Sequence, residues 1–73
     1  MYFYKSVVGP MIISRRKDGL FHLFINDEYC GKFPTAQAAA DSVAQFNTNY
    51  FPWDKLMYSC PFPLDLSEWY LHK

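Results

Sequence analysis

The chain has 73 residues, with seven Lys and Arg balancing seven Asp and Glu and a pI of about 6.7. That length holds one domain, 1–73, and leaves no room for a second. Zero net charge argues against strong non-specific binding to nucleic acid or anionic lipid and favours self-association. No run approaches the roughly 18 apolar residues of a membrane span. The segment Val7-Val8-Gly9-Pro10-Met11-Ile12-Ile13 is too short and too interrupted to be a signal peptide. The expectation is a cytoplasmic protein without membrane association.

Aromatic residues make up 21% of the chain. Each buried ring removes about 150–250 Å² from water, so rings can stabilise a domain of this size without a disulfide or a metal. A small interior cannot hold them all. Contiguous rings at the surface would mark an interface.

Tyr2 to Val8 is aromatic and β-branched and reads either as an edge strand or as a segment lying across the domain. Gly9-Pro10 punctuates it, and Pro10 cannot donate to a ladder, so the next strand is expected to start after it. Met11 to Arg16 reads as a strand, Lys17-Asp18-Gly19 as its turn, and Leu20 to Ile25 as a second strand. The second strand is almost continuously apolar, which predicts cover on both faces. Asn26-Asp27-Glu28 forms the next turn and Tyr29 to Phe33 the third strand, where Gly31 predicts a bulge or a close approach by another element.

Thr35 is a good N-cap for a helix whose stripe is Ala36, Ala39, Ala40, Val43 and Phe46. A stripe of alanine lets the helix lie close on the sheet. The expected fold is therefore α+β: a three-stranded antiparallel sheet over 11–33 and a helix over 35–47. An aromatic, Pro-rich strap over 50–73 follows, with Asp54 and Asp65 as turn caps. The strap is the natural candidate to cover the second face of the sheet.

Chemistry-bearing signatures are sparse. Cys30 and Cys60 fit no metal or redox spacing; a disulfide between them is geometrically possible, and a cytosolic setting implies reduced thiols. His22 and His72 have no Cys, Ser or carboxylate at a motif spacing, and the scattered carboxylates form no acid pair. No catalytic residue, metal or cofactor is expected. The one charge cluster is Arg15, Arg16 and Lys17, with Lys32 on the third strand. It suits an acidic protein partner, phosphates, or simply a solvated hairpin tip. The leading expectation is a small non-enzymatic module that binds another protein or itself, with Trp53, Tyr58, Trp69 and Tyr70 as interface rings. The alternative is a nucleic-acid-binding module using the basic hairpin and sheet.

Two resemblances add to this reading. Gly31-Lys32-Phe33-Pro34-Thr35-Ala36-Gln37-Ala38-Ala39 resembles the strand–helix junction of AP2-type and integrase arm-type DNA-binding domains, which implies a three-stranded sheet used to read DNA. Here the excess of basic residues typical of those families is missing. The combination of Asp18-Gly19, Gly31-Lys32-Phe33, Ala38 to Val43, Thr48, Trp53-Asp54 and Pro63 to Trp69 resembles a group of short bacterial proteins of uncharacterised function. It implies a bacterial protein and carries over no site residues.

Overall fold

The computed structural model describes residues 1–72. It is an α+β fold with an antiparallel sheet and one main helix. The sheet has five strands rather than three. They are β1 (Tyr2–Ser6), β2 (Gly9–Arg15), β3 (Phe21–Ile25), β4 (Glu28–Phe33) and β5 (Tyr70–Leu71), in the spatial order β4-β3-β2-β1-β5.

The two added strands have separate causes. Tyr2–Ser6 joins through a two-residue turn that pairs Ser6 with Gly9, and the Ser6 hydroxyl donates to the Gly9 carbonyl at 2.6 Å. Gly9 has φ +118, and a Cβ there would lie 2.7 Å from Asn26 Oδ1, so the position admits only glycine. The strand runs on through Pro10, whose carbonyl accepts from the Asn26 amide at 2.8 Å. A single missing donor is therefore all the proline costs. At the other end, Tyr70 and Leu71 pair with Phe3 and Tyr2. Met1 and His72 then exchange backbone bonds.

The β3–β4 turn is tight because Asn26 and Asp27 both adopt positive φ, 51° and 67°. Both residue types tolerate that conformation, which matches the twist of a hairpin. The register shifts between Leu23, opposite Gly31, and Phe24, opposite Tyr29. Cys30 is the extra residue of this bulge and points into the core.

Helix α1 (Ala36–Ala44) starts at Thr35, whose hydroxyl oxygen accepts from the Ala38 amide at 3.0 Å. It ends three residues earlier than the 35–47 expected. Phe46 takes φ 53, its amide reaches the Val43 carbonyl, and the Asn47 amide reaches the Ser42 carbonyl. Those are the two bonds of a Schellman motif, built on Phe where glycine is usual. The Phe46 ring stays in place because it stacks on Trp53 at 4.5 Å and meets Phe62 at 5.3 Å.

The strap contains a short helix α2 (Phe51–Asp54), a 3₁₀ turn at Leu66–Glu68 capped by Asp65, and then β5. Lys73, the last residue of the expected strap, lies outside the described residues. Met11, Ile13, Leu23 and Ile25 form one core with Ala36, Ala39, Ala40, Val43, Phe46, Trp53 and Trp69. Helix and strap thus share one face of the sheet. This corrects the expectation that the strap covers the other face. Its anchors are used up on the helix side: Trp53 is fully buried against α1, and Trp69 sits 5.6 Å from the Tyr4 ring.

Candidate functional site

The face left over follows from the two-residue period of a strand. Tyr2, Tyr4, Met11, Ile13, Leu23 and Ile25 point to the core, so Phe3, Lys5, Ile12, Ser14, His22 and Phe24 point away from it. Pairing aligns the outward set. Tyr70 opposes Phe3, Phe3 opposes Ile12, Ile12 opposes Phe24, and Phe24 opposes Tyr29. One residue from each of the five strands therefore forms a single row across the open face.

The row is ordered by its own contacts. Phe24 and Tyr29 meet edge to face at 5.4 Å, and Phe3 meets His72 at 6.0 Å. Tyr29 and Tyr70 are exposed, whereas Phe3, Ile12 and Phe24 are half-buried by their neighbours. Cations border the row. Lys5 lies on one side, paired with Pro10. On the other, Lys32 opposes His22, and the Arg16 guanidinium sits 5.2 Å from the Phe24 ring centre. A shallow depression of about 300 Å³ lies among Met1, Ile12, Ser14, Arg16, Phe24 and Asp27.

A hydrogen-bonded chain also lies on this face. His22 Nε2 is 2.9 Å from the Asp18 carboxylate, and His22 Nδ1 is 3.1 Å from the Tyr29 hydroxyl. A carboxylate only accepts, so Nε2 carries a proton, and in the neutral ring Nδ1 accepts from Tyr29. Asp18 also receives the Leu20 amide at 2.9 Å. That amide, and then His22, hold the Asp18 carboxyl below its ordinary range. The chain orients the Tyr29 ring at the end of the row.

No family model, curated protein or solved structure matches this chain.

Of the basic residues expected to form a site, Arg16 and Lys32 reach the open face. Arg15 opposes Phe21 at the margin of the core side, and Lys17 sits in the exposed turn. Of the rings expected at an interface, Trp53 and Trp69 are core residues, which removes them as surface candidates. Trp53 Nε1 donates to the Val43 carbonyl at 3.0 Å. Tyr58 is 57% exposed but leans on Phe46 and Phe62 within the strap. Tyr70 alone among the four belongs to the row. Phe3, Lys5, Ile12, Phe24 and Tyr29 were missed. Their signal was the alternation Ile12/Ser14 and His22/Phe24, readable only once the strand has a single covered face.

Cys30 and Cys60 are free thiols, and burial pushes both above their ordinary pKa. Among the described residues, no three His, Cys, Asp or Glu converge to hold a metal, and no helix is long and apolar enough to cross a membrane.

Proposed function

We propose that the protein is a small non-enzymatic interaction module and that its working surface is the open face of the sheet. The observation that carries this reading is the row Tyr70–Phe3–Ile12–Phe24–Tyr29, which the helix-and-strap layer leaves uncovered. Contiguous apolar surface rimmed by polar groups is the usual mark of a binding face. The Asp18–His22–Tyr29 chain fits the same role, because it fixes a ring without enclosing a reaction chamber.

Two adjacent residues provide the test. Leu23 faces the core and Phe24 the open side. Leu23→Ala should cost about 2–5 kcal/mol, as buried leucines do. Phe24→Ala should cost about 1 kcal/mol and lower Tm by roughly 4–8 °C. The folded protein should also bind an apolar dye, and Phe24→Ala should reduce that binding. Equal destabilisation by the two substitutions would make the row a structural layer and end this reading.

A further inference from the structure

We propose that the open face takes single-stranded nucleic acid, with bases on the row of rings and phosphates on Lys5, Arg16 and Lys32. The inference rests on the binding-face reading above and commits it to one partner. Three observations carry it.

The first is the shape of the row. Strands lie about 4.8 Å apart, so its five residues span about 19 Å. Four of the five are aromatic. The rings stand on an open sheet rather than in a pocket. A flat π-face accepts any unpaired base, whereas a duplex keeps its bases stacked inside.

The second is the placement of the cations. Lys5 borders one side of the row, and Arg16 and Lys32 border the other. A strand lying along the rings meets positive charge on both flanks. Arg16 lies over the Phe24 ring, so a base taken onto that ring displaces the guanidinium toward the phosphate beside it.

The third is a partition of charge that neutrality conceals. Residues 1–33 carry five Lys and Arg against three Asp and Glu, while residues 34–73 carry two against four. The sheet layer is therefore net positive and the helix-and-strap layer net negative. Such a molecule presents its sheet to a polyanion and turns its acidic side away.

The test is fluorescence anisotropy of the full chain with a labelled oligo-dT of about a dozen nucleotides, within the site sizes typical of such surfaces. An oligo-rU of that length and the matching duplex serve as comparisons. Saturable binding to the single strands is expected at low salt. Three phosphate contacts predict a slope of log K against log salt of about −2. Tyr29→Ala and Tyr70→Ala, both at exposed positions, should each weaken binding by about 5- to 150-fold. Tyr29→Phe should retain it, since stacking needs the ring and not the hydroxyl. Circular dichroism of each variant establishes that the fold is intact.

Absence of single-strand binding at low salt overturns the proposal. So does equal affinity for the duplex, or binding that ignores both tyrosine substitutions. If the oligonucleotides fail while light scattering shows self-association that Tyr29→Ala abolishes, the partner is a second copy. In that outcome the nucleic-acid proposal falls and the binding-face reading stands.

Discussion

The carboxylate of Asp54 folds back onto Thr48, taking its amide at 3.0 Å and its hydroxyl at 2.8 Å. The Asn49 amide joins at 3.0 Å. Thr48 is only 1% exposed, so its polar groups have no access to water. Asp54→Ala leaves a buried amide and hydroxyl without an acceptor, and an orphaned buried donor costs about 1–3 kcal/mol. We expect a loss of roughly 2–4 kcal/mol by urea unfolding, enough to make a domain of this size marginal. Asp54→Asn should recover part of that loss, because one carbonyl oxygen remains. Equal loss in both variants would mean that the charge, rather than the acceptor, holds the turn.

The two tryptophans look alike in burial but not in bonding. Trp53 donates to the Val43 carbonyl at the end of α1, while Trp69 Nε1 is buried with no partner among the described residues. Phenylalanine keeps most of each ring and deletes the N–H. At Trp53 it strips a bond from a helix-terminal carbonyl, and at Trp69 it removes an unsatisfied donor. Trp53→Phe should therefore destabilise by about 1 kcal/mol more than Trp69→Phe. Paired denaturant melts decide this, and a reversed order would refute the assigned bonding.

Asp18 gives the hairpin a dependence on pH. Its folded pKa lies below the ordinary 3.8, held there first by the Leu20 amide and then by His22. A depressed carboxylate contributes stability above its unfolded pKa and loses it as pH falls through the folded value. The contribution is thus intact at neutral pH and disappears below pH 3.8. The protection of the Leu20 amide, measured as exchange relative to its intrinsic rate at each pH, should fall on acidification in the parent and not in Asp18→Asn. Acid-independent protection of Leu20 would count against the bond.

Local chemistry was readable where a single residue decides it. Thr35 caps the helix, Gly31 accompanies a bulge, and Asp65 caps a turn through the Ser67 amide and hydroxyl. Long-range choices were not readable. Tyr70 and Leu71 pair with β1 across nearly the whole chain, and two residues carry too little pattern to announce a strand. The helix end at Phe46 was hidden for another reason: a stacked ring holds a left-handed backbone that sequence assigns to glycine. The open face was hidden because Leu20 to Ile25 is apolar except at His22, and apolar character alone does not separate a covered ring from an uncovered one. The hydrophobic run was real, but Phe24 serves the surface.

The alanine stripe lies in the contact between the helix and the sheet. Ala39 and Ala40 have no exposed surface, and α1 packs on β2, β3 and β4 through them. Each replaces a large side chain with backbone proximity, so there is no void to receive extra carbons. Ala40→Leu must push the helix from the sheet or force neighbouring side chains off their rotamers, at a cost of about 1–3 kcal/mol. Ala38 lies on the same helix but is half-buried. Ala38→Leu should cost less, because part of the added side chain can turn to solvent. A thermal melt of the two variants measures the difference. Tm should fall by roughly 4–24 °C for Ala40→Leu, given about 4–8 °C per kcal/mol in a domain this small. An unchanged Tm for Ala40→Leu would mean that the stripe does not hold the helix against the sheet.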